Sequence, residues 1–296
     1  MLSTMKKVIG LPLGATGVAL LVMIAAMALL APLLPLPGPA SSQIANALSP
    51  PSAAHLFGTD SIGRDVLSRV IWGGRNSLVI GIAIVVIGLA GGVALGLLAG
   101  YFAGGLFEEI SMRAVEVFAA IPLLVWAIAL VGIVGTGPVD LGVMVLPNSA
   151  RIVLLVGLLF IPGIARITHG LALAESRAEY VDARRLQGAN PIAIMVGDIL
   201  PNILSPILVQ ASVLVGIGII IEASLSFVGL GVQPPTPSWG GMLADAKTTL
   251  FSGEWWMSLF PGLAIFLSVI GFNLVGDALR AVLDPRRSTA MSGTAT

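Results

Sequence analysis

Apolar stretches of roughly 20 residues, the length a helix needs to cross a bilayer, recur six times along the chain. They run approximately from Val8 to Leu34, Ser77 to Phe102, Ala114 to Val134, Ile152 to Ile167, Ile203 to Val228 and Met257 to Leu279. Leu, Ala and Gly dominate them without alternation at period two, which predicts helices rather than strands. Pro162 interrupts the fourth run, whose start can reach back to Leu141. The first follows Lys6 and Lys7 and spans 27 residues, longer than the apolar region of a signal peptide, so it reads as a retained helix. The expected fold class is an all-α integral membrane protein with six transmembrane helices.

Three intervening stretches are long enough to act. Pro35 to Asn76 begins Pro-rich and ends in a segment whose Ile62, Val66, Leu67, Val70 and Ile71 share one helical face opposite Ser61, Asp65, Ser68 and Arg69. That pattern predicts an interfacial helix on the outer leaflet. Thr168 to Asn202 concentrates charge: Glu175, Arg177, Glu179, Asp182, Arg184, Arg185 and Asp198. Gly229 to Trp256 carries "PPTPSWGG" at Pro234 to Gly241, where prolines fix the backbone and Trp239 can anchor at the headgroup level.

Composition then removes whole classes of function. Charged residues are 10% of the 296, and mean hydropathy is +1.01; a soluble domain carries about 25% charge. The 15 basic and 15 acidic residues balance, which argues against a nucleic-acid partner. The chain has no Cys, excluding disulfides, thiolate metal sites and thiol catalysis. With the N-terminus cytoplasmic, ten Lys and Arg fall inside, Arg286 and Arg287 among them, and five outside. That bias places both termini in the cytoplasm. The only lysines are Lys6, Lys7 and Lys247, none in a P-loop, so ATP-driven work belongs to a partner. His55 and His169 lie on opposite sides of the membrane, which offers no metal site, and no catalytic or cofactor-binding residue is expected. Glu116 and Glu222 are the ionisable residues nearest membrane depth. Each stands within a turn or two of a helix end, where solvation or a structural hydrogen bond is its expected role, and Glu222 is kept as the embedded candidate. Gly88, Gly91, Gly92 and Gly96 have the spacing of a helix-packing face.

The charged stretch is the most informative. "ESRAEYVDARRLQ" (Glu175 to Gln187) predicts a helix of alternating charge; Gly188, Ala189, Asn190 and Pro191 stop and restart it; an apolar segment then ends at Leu200 and Pro201. Ile192, Ile194, Met195 and Val196 are expected to form an exposed apolar patch, the form of a docking element. Gly188 can adopt positive φ or admit another backbone, and Asp182 can hold the turn, with Arg185 as its partner.

These residues resemble the cytoplasmic EAA loop of ATP-binding cassette importer permeases, Glu-Ala-Ala, three residues, Gly, and a terminal Leu-Pro. Here the pattern is Asp182-Ala183-Arg184, Gly188 and Leu200-Pro201, with Asp198 where this branch often has His. "FGTDSIGRDVLSRVIWGGRNSL" (Phe57 to Leu78), "LSFVGLGVQPPTPSWGGMLADA" (Leu225 to Ala246) and "FPGLAIFLSVIGFNLVGDALRAVLDPR" (Phe260 to Arg286) are similar to the second permease subunit of dipeptide, oligopeptide and nickel importers. The resemblance implies a type I importer permease fold in the cell (inner) membrane. Its implied partners are a sister permease, two ATPase subunits that bind ATP and Mg, and an extracytoplasmic peptide-binding protein. It also divides the chain into a first helix and outer linker (1–56), a permease core (57–286) with the coupling loop at 168–202, and a cytoplasmic tail (287–296). Candidate docking residues are Glu179, Asp182, Ala183, Gly188, Ala189, Asn190, Pro191, Ile192, Asp198, Leu200 and Pro201. Candidates for the binding-protein face or gate are Asp60, Gly63, Arg64, Asp65, Pro234, Pro235 and Trp239. Two alternatives stand beside a peptide importer: the same architecture carrying nickel or another small solute, and a self-sufficient secondary carrier. The latter needs mid-membrane charges and internal symmetry, and neither is visible in the sequence.

Overall fold

A computed structural model describes residues 2–135, 137, 139–140, 145–249 and 252–283. The expected tail 287–296 lies outside the described residues, as do Arg286 and Arg287 of the charge count and the Leu141 start considered for the fourth run.

The first apolar run forms two helices, α1 (Leu2–Ile9) and α2 (Pro12–Leu30). Pro12 opens α2, the one place in a helix where its missing N–H costs nothing. The second run is longer than expected: α3 (Val66–Tyr101) is one helix of 36 residues, about 54 Å long against a hydrocarbon core of about 30 Å. The interfacial helix expected before Ser77 is therefore corrected: its residues from Val66 onward are the first turns of α3, and Ile62 precedes the helix. Val66 and Val70 pack against Met242, Trp256 and Phe57 rather than against lipid. The expected division into an apolar and a polar face is not kept: Val66 and Ile71 are buried, but so are Ser68 and Arg69, and Ile62 is 42% exposed.

The third run is not a straight span either. It divides into α4 (Leu106–Ala119) and α5 (Leu123–Val134), set at 87° to each other. Pro122 at the junction has no N–H to continue the ladder. A two-residue antiparallel pair, β1 (Val139–Asp140) with β2 (Val145–Leu146), precedes α6 (Asn148–Glu175), which continues past Pro162 and beyond the expected end at Ile167. The charged helix is shorter than expected: Ser176 to Ala178 turn the chain, and α7 covers Glu179–Leu186.

Next, α8 (Pro191–Ala193), a π-helical turn (Ile194–Ile199) and α9 (Leu200–Phe227) follow without a break, a rod of 37 residues. After it come α10 (Trp239–Ala246) and α11 (Trp256–Leu283). Five of the described segments are long and apolar enough to cross a membrane, six when α4 and α5 count as one broken span. The protein is a multi-pass membrane protein. Helix α3 packs along α6, α9 sits against α3 and α11, and α2 flanks α11. Glycine permits the closest approach: a Cβ at Gly92 would lie 2.6 Å from Ile164 Cβ, and one at Gly96 would lie within van der Waals distance of the Ala165 carbonyl.

Candidate functional site

At one end of the bundle, α7 is held to three neighbours. Val181 is fully buried among Leu97, Ala172, Ile194 and Ile203. The Tyr180 hydroxyl donates to Glu175 Oε1 at 2.7 Å, and Asn202 Nδ2 donates to both, at 3.1 Å and 2.9 Å. Partial burial and the Glu175 carboxylate hold the Tyr180 hydroxyl above the usual phenol range, so it stays protonated as the donor. Arg184 Nε meets Asp198 Oδ2 at 3.0 Å, joining α7 to the π turn. These are the two positions that depart from the Ala and His of the resembled pattern, and here they are partners.

The turn after α7 is closed by its backbone. Gly188 N donates to Arg185 O at 3.0 Å and Ala189 N to Arg184 O at 3.1 Å, with Gly188 at φ +75°. This paired arrangement ends a helix through a left-handed residue, which glycine adopts at no steric cost. Nothing lies within 4 Å of the place a Cβ would take, so positive φ rather than backbone approach accounts for the residue. Asp182 pairs with Arg185 at 2.9 Å within α7, while Glu179 and Ala183 are exposed beside it. Asn190 then caps the next helix, accepting from Ile192 N at 2.9 Å, with Pro191 in its first turn. Leu200 and Pro201 begin α9, Leu200 packed on the core beneath and Pro201 exposed.

The apolar patch differs from the expected one. Ile194 and Met195 are 0% and 4% exposed, buried in one cluster with Val181 of α7, Leu97, Ala172 and Ile203. The residues left uncovered are Leu186 at 90%, Ile192 at 65% and Val196 at 55%. Leu186 went unremarked in the sequence, although a large apolar residue at the end of a charged eight-residue helix was the available signal.

At the opposite end the gate candidates form a clamp. Asp65 caps α3, accepting from Ser68 N at 2.8 Å, and meets His55 Nδ1 at 3.0 Å. The buried Asp60 carboxylate pairs with Arg64 and lies 3.3 Å from Arg69 Nη1; both arginines reach Asp245 Oδ2 on α10 at 3.1 Å. Gly63, at φ +76°, lies where any side chain would strike the Gln43 carbonyl. Asp60, Arg64 and Asp65, candidates for the binding-protein face or gate, are buried, and each charge finds its partner inside the fold. The headgroup anchor expected of Trp239 is corrected. The residue is 1% exposed and anchors at no headgroup: its ring lies on Gly73 and Gly74, and its indole N–H donates to Val70 O at 2.9 Å. Pro234 and Pro235 remain exposed at the tip of this loop.

Between clamp and core stands Glu222, fully buried on α9. Ser77 Oγ of α3 meets its Oε2 at 3.1 Å, and Ser226 Oγ its Oε1 at 2.8 Å. Each serine oxygen also accepts a backbone N–H at 3.2 Å, from Trp239 and Val232 respectively. Their protons are left to face the carboxylate, so Glu222 ties α3, α9 and the start of α10 together. Glu116, by contrast, is exposed and lies 3.5 Å from Arg113. The arrangement is a rod held at one end by a clamp and bearing at the other a surface with uncovered apolar side chains.

Comparison with known proteins places these features in a family. Residues 92–289 match the binding-protein-dependent transport system inner membrane component family. A di/tripeptide transport system permease protein of Pseudomonas aeruginosa is 41% identical over 82% of this chain and 78% of its own length. A glutathione transport system permease protein of Pectobacterium atrosepticum is 43% identical over 80% and 74%. A probable D,D-dipeptide transport system permease protein of Escherichia coli is 37% identical over 94% and 89%.

Proposed function

The chain belongs to the binding-protein-dependent transport system inner membrane component family, and from that premise we propose that it is the peptide-importing permease subunit of an ATP-driven complex. It forms half of the translocation path with a sister permease. Its α7 to α8 loop faces the cytoplasm and docks ATPase subunits, and its α10 end faces an extracytoplasmic peptide-binding protein. The peptide cargo is supported by the relatives, whose names specify di- and tripeptides, glutathione and D,D-dipeptides. The observation that carries the coupling role is the unbroken rod from Pro191 to Phe227. Its first turns leave Ile192 and Val196 exposed, as Leu186 is at the end of α7. A partner seated there moves a helix that crosses the whole bundle and ends at the Glu222 knot and the clamp.

Reconstitution tests the reading. With sister permease, ATPases and binding protein in proteoliposomes, trialanine uptake is expected only with ATP, and the chain alone is expected to take up none under a proton or sodium gradient. Gradient-driven uptake by the isolated chain would restore the secondary carrier.

The orientation is tested by a single cysteine. Ser238 is unsuited, being buried and capping α10 through Gly241 N, whereas Thr236 two residues earlier is exposed. Thr236→Cys in this Cys-free chain should react with an impermeant maleimide added outside the cell. Reaction only in inverted vesicles reverses the assignment of both ends.

A further inference from the structure

Three arginines are buried among the described residues: Arg64, Arg69 and Arg151. The first two each lie within 3.3 Å of carboxylates in the clamp. Arg151, in the first turn of α6, is 5% exposed, and no carboxylate among the described side chains pairs with it. Its Nη2 donates to Asn148 Oδ1 at 3.3 Å, which turns the guanidinium back over the start of its own helix, and its Nε has no partner. That helix is 28 residues long, begins after Pro147 with no side chain capping it, and carries no acid in its first turn. Asn148 is fixed in turn by its Nδ2, which donates to Gly231 O at 2.6 Å in the loop after α9.

A guanidinium keeps its proton in a protein, so burial without an anion leaves a charge whose desolvation nothing offsets. The helix start adds to that cost, because its free N–H groups and macrodipole are also positive and favour an anion there rather than a cation. Two independent features thus converge on one point, and both are complemented by the same ligand. A carboxylate fits best, since its two coplanar oxygens take parallel bonds from an arginine fork. A neighbouring subunit meets the surfaces that this chain leaves exposed, and Arg151 is not among them. A small occupant, entering when the loop at Gly231 shifts, meets no such obstacle. That loop leads to the exposed Pro234 and Pro235, so in the orientation proposed above the site lies toward the extracytoplasmic mouth.

Resting on the peptide-importer reading above, we propose that Arg151 and the start of α6 form a carboxylate site on the translocation path, which takes the C-terminal carboxylate of the peptide cargo. Every linear peptide with a free C-terminus carries that group, whatever its sequence. The site therefore separates a free acid from its amide without reading side chains, and the cargo supplies the charge that the empty site lacks.

The test uses the complete importer in proteoliposomes, with trialanine and trialanine amide each supplied at concentrations that saturate the binding protein. Arg151→Met keeps the apolar stem and removes the charge. It should lower trialanine uptake at least tenfold, as loss of a charged hydrogen-bond partner does, and change amide uptake less than twofold. The same substitution should raise the melting temperature of the peptide-free complex by about 3 °C, because an unpaired buried charge is gone. A purely structural arginine gives neither result. Equal loss of both peptides overturns the proposal, as does wild-type uptake of trialanine. A lowered melting temperature, or loss of the sister permease from the purified complex, means that the resting assembly already supplies the anion, and overturns it too. Arg151→Lys keeps the charge without the fork and should reduce the preference for the free acid about threefold. Should the Met variant not be recovered, an unchanged preference in the Lys variant overturns the proposal. A wild-type complex that moves no trialanine defeats the cargo reading first and this one with it, and is distinguished by failing before any substitution is made.

Discussion

Replacing Trp239 by Ala is expected to be among the most destabilising single changes in the chain. The side chain is 1% exposed, lies against Gly73 and Gly74 of α3, and donates its indole proton to Val70 O. Its own backbone N–H reaches Ser77, which in turn holds Glu222. Truncation leaves a cavity that the glycine-lined α3 surface has no side chains to fill. The expected cost is about 3–5 kcal/mol. In the purified complex, thermal unfolding should fall by about 10 °C. Trp239→Phe keeps most of the ring and loses the indole donor, so its loss should be nearer 1 kcal/mol. Equal melting temperatures for Trp239→Ala and wild type would mean that α10 is held by its ion cluster with Arg64 and Arg69 and by the packing of Met242 and Ala246. The tryptophan would then be a passenger.

Trp239 also shows what a single sequence can carry and what it cannot. Its prolines and its place between apolar runs mark a loop, and a tryptophan in such a loop reads equally well as an interfacial anchor or as a plug. The choice depends on Gly74, Val70 and Ser77, more than 160 residues away. The same holds for Arg64 and Arg69, whose shared partner Asp245 is supplied by α10. The apolar runs, by contrast, were legible because each is a local property of about 20 residues, and five of the six fall in the long described helices. The third misled because hydropathy does not register direction. Ala114 to Val134 is apolar apart from Glu116 near its start, yet it bends by 87° at the break that ends in Pro122. The loop after α7 was legible for a similar local reason: Gly188, Asn190 and Pro191 state a stop and a start by their own backbone preferences. Its exposed patch was not, because Ile194 and Met195 are buried in a cluster with Leu97, Ala172 and Val181, which other segments of the chain supply.

Gly188→Val should abolish transport while leaving the membrane helices assembled. At φ +75° a β-branched residue is a strong outlier, and the left-handed region costs an ordinary L-residue about 1–2 kcal/mol. No neighbour stands within 4 Å of the new Cβ, so the strain is entirely in the backbone and is relieved by unwinding the turn. The eight-residue α7 has little intrinsic stability with which to resist. Once the bonds from Gly188 and Ala189 to Arg185 and Arg184 open, Leu186 and Ile192 lose their fixed relation, and the docking surface is lost with it. The rod behind them, buried through Ile199, Ile203 and Ile207, stays in place. The expected result is trialanine uptake below about a tenth of wild type, with the sister permease still co-purifying and the ATPases recovered in reduced amount. Gly188→Asn separates backbone conformation from simple loss of glycine, since asparagine tolerates the left-handed region, and it should retain most of the uptake. Wild-type transport by Gly188→Val would show that the turn carries no load, and the coupling surface would then have to lie elsewhere on this end of the bundle.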